Sequence, residues 1–311
     1  MSPALPPEIE HEIFTFAFQN ELSNPINLML TARRVHDWLI PKIYHVVVFR
    51  STRTYPQNAS ASTLKVYGHH TRHLIIGSIT SPISEVLSCC PNLENLALWT
   101  GASSWSDDLG LESQNALTTL RLSRLSIRLG RLEGFDLLET TDYPGDNTGA
   151  QEQAQIATNI KRFLSTITHL DVCTKVGRLS EISTLRYCTS LTHICLFASL
   201  PPQLLRWVFD VCNKLEVLIC LITRSTGENE DALVAVKSDE ALQAKINGES
   251  EGLSQDEIEK IVFVRCNGYG EDWENGARGE EDMWALAERE VKRVRGSKNG
   301  VSGPLSMFGG L

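Results

Sequence analysis

Leu93-ENLAL-Trp99, Leu117-TTLRL-Ser123, Ile167-THLDV-Cys173, Leu191-THICL-Phe197 and Leu215-EVLIC-Leu221 share one pattern, φ-x-x-φ-x-φ with φ apolar. Thr71-RHLII-Gly77 and Ile258-EKIVF-Val264 are weaker copies. Their fourth positions are Leu74, Leu96, Leu120, Leu170, Ile194, Leu218 and Ile261, separated by 22, 24, 50, 24, 24 and 43 residues. The 50 is about two periods, and the 43 is one period plus an insertion. One such hexamer occurs by chance in almost any chain. Several at one spacing describe a stack, in which each unit buries its apolar face only against its neighbours.

A period of roughly 20–29 residues with this strand signature marks leucine-rich repeats. The expected fold is α/β: a parallel sheet, one strand per unit, with helices on the convex side. Helical stretches fall between the strands at Ile83–Ser88, Gln151–Ser165, Ser180–Tyr187 and Leu204–Val211. Cys90, Cys188 and Cys212 each stand three residues before a repeat opens, which suits a small buried filler at a turn. The units are irregular. The asparagine usual after such strands is missing, and residues 124–150 hold at best a degenerate copy, Phe135-DLLET. Residues 224–257 read as a polar, acidic, mobile insertion with helical patches at Asp231–Val236 and Asp239–Ile246. Residues 280–295, acidic first and basic last as the helix dipole favours, read as a helix capping the open end of the stack. The expected divisions are a helical module at 1–49, the solenoid at 50–295, and a disordered Gly/Ser-rich tail at 296–311.

Composition narrows the function. The chain has 311 residues, 42% of them hydrophobic, enough for a sizeable core. A net charge of −9 opposes binding to nucleic acid or to anionic membrane, both of which draw on Lys and Arg. The acid is concentrated: residues 224–290 hold 18 Asp and Glu against 7 Lys and Arg. No run approaches the ~18 apolar residues of a membrane span. Glu8, Glu10 and Glu12 stand where a secretory leader would be basic and then apolar. Eight cysteines without a single C-x-x-C fit a reducing compartment, cytoplasmic or nuclear.

The first fifty residues read as helices. Pro6 and Pro7 suit a first turn, Ile9, Ile13 and Phe16 or Ala17 recur at helical spacing, and Leu28, Val35, Trp38 and Leu39 supply further apolar positions before a stop at Pro41. His45–Phe49 then reads as a strand. Leu5-Pro6-Pro7-Glu8-Ile9 with Ile13-Phe14, Arg33-Arg34-Val35-His36-Asp37-Trp38-Leu39 and Ile43-Tyr44-His45-Val46 resemble the F-box motif. Together with the repeats, Trp273-Glu-Asn-Gly-Ala-Arg-Gly279 and Asp282-Met-Trp284, they resemble the F-box-like, leucine-rich-repeat proteins abundant in mushroom-forming fungi. The resemblance implies an F-box-like module docking on a Skp-type adaptor, and through it on a cullin-based ubiquitin ligase, while the repeats hold a protein substrate. On this sequence the docking surface would include Leu5, Pro6, Ile9, Ile13, Val35 and Trp38. A repeat scaffold that has lost the ligase connection is the alternative.

No catalytic constellation stands out. There is no phosphate loop, no G-x-S-x-G and no H-E-x-x-H, and no cofactor or metal is called for. His69-His70-x-x-His73 lacks a carboxylate or Cys partner at ligand spacing and reads as a polar loop entering a strand. More telling, His73, His169 and His193 all occupy the third position of a unit. Strand residues alternate faces, so positions three, five and seven share the concave side. Trp99, Arg121, His169, Asp171, His193 and Phe197 therefore make a candidate substrate strip. Either a partner binds there, or the C-terminal helix or the acidic insertion covers it.

Overall fold

The computed structural model describes residues 5–20, 25–50, 54–78, 81–99, 111–127, 155, 158–175, 179–197, 202–222, 234–235, 252–266 and 268–299. It divides into two compact units, Met1–Leu122 and Ser123–Leu311. Among the described residues no helix is long and apolar enough to cross a membrane.

The first unit opens with α1 (Pro7–Asn20), α2 (Pro25–Met29) and α3 (Arg33–Ile43). Glu8 and Glu10 lie in the first turn of α1, where the helix dipole favours acid. α3 does not stop at Pro41. Proline lacks one amide hydrogen, but the helix continues to Ile43 and closes with Tyr44 N–H donating to the Ile40 carbonyl at 3.0 Å. Then follow β1 (Val46–Phe49), β2 (Thr54–Tyr55), α4 (Ala61–Tyr67), β3 (His73–Ile76), α5 (Ile83–Ser88), β4 (Asn95–Leu98) and α6 (Leu111–Thr118). Strands β1, β3 and β4 are parallel, with Val47, Leu74 and Leu96 in one register line, and β2 lies antiparallel on the outer edge of β1. Tyr44-x-x-Val47-x-Phe49 is thus a first copy of the repeat, with all three apolar side chains buried.

Helix ends are built alike. Leu93 N–H bonds the Cys90 carbonyl at 3.3 Å, Leu191 that of Cys188 and Leu215 that of Cys212 at 3.0 Å. All three cysteines are buried, as a filler at a turn should be. Burial pushes the Cys90 and Cys212 thiols up to about 12, which makes them poor nucleophiles. Gly68 holds the corresponding place before Thr71, where an added Cβ would run into the Cys89 carbonyl oxygen. Gly68→Ala should therefore destabilise by about 1–3 kcal/mol, the usual range for overpacking, because a backbone atom cannot rotate aside. A chemical-denaturation midpoint equal to wild type would contradict this contact.

The second unit comprises β5 (Arg124–Ile127), α7 (158–164), β6 (His169–Lys175), a 3-10 helix (Leu179–Tyr187), β7 (His193–Phe197), α8 (Pro202–Val211), β8 (Val217–Ile222), β9 (Val234–Ala235), α9 (Gln255–Glu259), β10 (Ile261–Arg265), α10 (Tyr269–Ala277) and α11 (Met283–Asn299). Within it β5, β6, β7, β8 and β10 are parallel neighbours in that order, and β9 closes the edge antiparallel to β10. Leu125, Leu170, Ile194, Leu218 and Ile261 form one register line, each no more than 2% exposed. Parallel strands recurring with helices between them make a solenoid-like α/β fold.

Several expectations need correction. Leu120 does not occupy a strand: Leu117 lies in α6 and Leu120 in the turn after it, and the strand copy is Leu122-x-x-Leu125-x-Ile127. The helical patch at 231–236 is a strand at 234–235; residues 223–233 and 236–251 otherwise lie outside the described residues, as does Phe135-DLLET. The last helix starts at Met283 rather than 280 and runs to Asn299, past the expected limit at 295; residues 300–311 lie outside the described residues. It also does not cap the open end of the stack. It lies across the sheet face.

Candidate functional site

Odd positions of the second unit's strands meet α10 and α11. Cys195, Val217, Ile219, Leu221, Val262 and Val264 bury themselves against Met283, Trp284, Ala287 and Val291, with Phe197 and Tyr269 at the margin. Two features hold α11 there. Asp282 caps it, accepting from the Ala285 amide at 2.9 Å, and its other carboxylate oxygen meets Arg124 of β5 at 3.1 Å. The corner before it turns through Gly279, whose φ of +85° suits glycine. Trp273-Glu-Asn-Gly-Ala-Arg-Gly279 is therefore the end of α10 and the turn after it, and Asp282-Met-Trp284 is the cap and first turn of the covering helix.

Under α11 the two histidines lie side by side. His169 and His193 are register partners on β6 and β7, their rings stacked 4.2 Å apart at an interplanar angle of 9°. The Trp284 indole stands edge-on to both, at 5.3 and 5.7 Å. Each ring's Nδ1 meets the hydroxyl of the threonine before it: Thr168 at 3.0 Å and Thr192 at 2.8 Å. Those hydroxyls donate onward to the Ser123 and Thr168 carbonyls, at 3.0 and 3.1 Å. A hydroxyl has one hydrogen, so each Oγ1 is left to accept from Nδ1–H, and each Nε2 keeps its lone pair. His193 Nε2 is buried without a hydrogen bond, although a Glu288 oxygen stands 3.4 Å away, and no other group of three metal-capable side chains occurs among the described residues. Burial pushes the His169 ring down to about 3, helped by His193 and Arg124, and lowers His193 as well, against the pull of Glu288 and Glu216. Burial thus disfavours the protonated form of both rings.

Deeper on the same face is a polar knot. Asp171 is buried, and burial raises its carboxyl to about 8 against the opposing effects of Tyr269 and Arg124. Ser126 links the Tyr269 hydroxyl at 2.9 Å to the Cys173 sulfur at 3.0 Å.

No family model matches this chain, and no curated protein matches it.

The candidate strip is accordingly not an open surface in the second unit. Asp171 and His193 are buried, His169 and Phe197 half-buried, with Phe197 against Tyr269 at 5.1 Å. The cause is the apolar face of α11, which has to bury Met283, Trp284, Ala287 and Val291 somewhere. Arg121 is exposed in the turn before β5, not on a strand; Arg124 holds the register place beside His169. Trp99, in the first unit, follows β4 half-buried, its amide bonded to the Ile76 carbonyl at 2.9 Å. His69 and His70 pack ring on ring, whereas His73 bonds Asn95 at 2.8 Å.

The N-terminal residues behave differently. Leu5, Ile9 and Ile13 are 44–53% exposed, Pro6 is exposed, and Phe16 and Leu30 are 69% and 78% exposed. Among the described residues, five of the six exposed large hydrophobics lie between positions 5 and 30. Val35 does not belong to this surface: it is buried beside Leu39 in the core face of α3, and Trp38 is half-buried with its ring edge-on to His11 at 5.3 Å.

Proposed function

We propose that this chain is a non-catalytic substrate adaptor: its F-box-like N-terminal helices dock on a Skp-type adaptor of a cullin-based ubiquitin ligase, and its leucine-rich-repeat-like units present a protein substrate. The observation that carries this reading is the apolar stripe Leu5, Ile9, Ile13 and Phe16. Leu5 stands just before α1 and the others follow along it, at spacings of four, four and three residues, and among the described residues only Leu30 and Val66 are further exposed large hydrophobics. Burying the remainder of each side chain against a partner would contribute roughly 1 kcal/mol apiece. The motif resemblance falls on the same residues. Substrate contacts are assigned to surfaces beside Trp99 and beside Phe197, because the histidine face is occupied by α11.

Ile9→Glu tests the docking. The side chain is 44% exposed, so the fold should survive, while a carboxylate driven into an apolar interface should weaken the complex by at least about tenfold. Full-length wild type should co-purify a Skp-type protein and Ile9→Glu should not. No such protein with wild type, or equal recovery with both, would overturn the adaptor reading and leave a repeat scaffold without a ligase connection.

A further inference from the structure

We propose that His169, His193 and Glu288 form a zinc site that clamps the C-terminal helix α11 onto strands β6 and β7. The proposal is independent of the adaptor reading and concerns the second unit alone.

The donor set suits zinc. Two neutral imidazoles and one carboxylate are borderline-soft nitrogen and hard oxygen ligands, and His2Glu with an open fourth position is an established zinc set. The three ligand atoms lie within 4.8 Å of one another. Around a tetrahedral ion with bonds of 2.0–2.2 Å, neighbouring ligand atoms are about 3.4 Å apart. His193 Nε2 and Glu288 Oε1 already stand at 3.4 Å. The two rings are stacked nearly parallel, so their in-plane lone pairs run side by side, and closing on one ion requires a ring to rotate out of the stack while the Glu288 side chain, 38% exposed, follows.

Orientation is the second argument. Imidazole ligands of zinc usually donate their other N–H to a fixed acceptor, which sets the tautomer and the ring plane. Here the Thr168 and Thr192 hydroxyls do this for both rings, through hydrogen bonds that end on backbone carbonyls. Two Nε2 lone pairs are thereby held next to each other and beside a carboxylate. His193, with its side chain 93% buried, leaves its lone pair without a hydrogen bond. Two adjacent lone pairs and a carboxylate repel one another unless a cation lies between them. The nearby positive charges are already engaged: Arg124 by Asp282 at 3.1 Å, and Lys292 by the other Glu288 oxygen at 3.4 Å. Trp284 walls the rings on one side and leaves Glu288, the more exposed ligand, as the way in.

The test uses the full chain, stripped by a chelator, desalted and titrated with Co2+ as a visible probe and then with Zn2+. One equivalent of Co2+ should bind with the intense d–d absorption of a four-coordinate site, and Zn2+ should displace it. Glu288→Gln and His193→Gln should each weaken binding by at least about tenfold, as loss of a ligand exceeds the 10–100-fold cost of losing a supporting contact. Glu288→Gln is decisive if His193→Gln fails to fold, because its side chain lies at the rim; circular dichroism should match wild type. No saturable single equivalent in wild type, unchanged affinity in Glu288→Gln, or near-ultraviolet thiolate-to-cobalt bands showing capture by the eight cysteines would each overturn the site.

Discussion

Trp284→Ala is expected to lower the stability of the second unit by about 3–5 kcal/mol, the range for removing a large aromatic ring from a packed core. The indole is only 4% exposed and sits where α11 meets the sheet. On one side it touches the edges of both histidine rings, and around it Met283, Ala287 and Val291 close over Val217, Ile219 and Val262. Two rigid parallel strands lie beneath, so the site has little freedom to collapse and the cavity term stays large. Urea unfolding should show a lower midpoint with an unchanged slope. A loss under about 1 kcal/mol would mean that α11 does not pack on this face.

How far the sequence reached follows from the range of each interaction. The register line through Leu170, Ile194 and Leu218 was legible because strand, turn and helix each recur at a fixed spacing, and the next unit buries each side chain. The unit before it departs from the expected strand for a specific reason. Leu117 and Leu120 close a helix with the same i, i+3 apolar spacing that opens a strand, and the competing Leu122-x-x-Leu125-x-Ile127 fits equally well. Only the pairing of Leu125 with Leu170 decides between them. Val35 and Trp38 illustrate the same limit on a helix: both sit on apolar spacings, and which one faces inward depends on packing from α1.

The site was half legible. His169 and His193 occupy equivalent positions in successive units, so their adjacency follows from the repeat alone. The Thr-His dipeptide repeats in the sequence, but the tautomer depends on where each hydroxyl donates, which the fold alone determines. Covering by the C-terminal helix is one of the outcomes the sequence leaves open, but the specific approach of Glu288, Trp284 and Tyr269 to these strands spans some hundred residues of chain and has no local signature. An amphipathic helix announces that it will bury a face, not which face it will cover.

The same dependence on a distant contact makes Asp282 the second vulnerable point. Asp282→Ala is expected to cost about 2–4 kcal/mol, from two separable losses. One is the helix cap: Ala285 N–H loses its acceptor, which typically costs about 1 kcal/mol. The other is the ion pair with Arg124, whose charge would be left beside an apolar face. A fully buried pair broken this way costs about 3–5 kcal/mol, but Arg124 is 34% exposed and water would screen part of its charge, so a smaller value applies. Asp282→Asn separates the two, since asparagine caps helices about as well as aspartate but cannot neutralise the guanidinium. It should lose only the ion-pair share, falling between wild type and Asp282→Ala in denaturant unfolding. In Arg124→Met, which removes the charge, the gap between wild-type and Asn at position 282 should nearly vanish, and the cycle gives the pair's coupling energy directly. Equal costs for Asp282→Asn and Asp282→Ala would show that the cap contributes nothing. A gap that persists in Arg124→Met would assign the charge effect to a group other than Arg124; Asp272, whose carboxyl accepts from the Met283 amide at 3.2 Å, would act in the opposite sense, because it repels the Asp282 carboxylate.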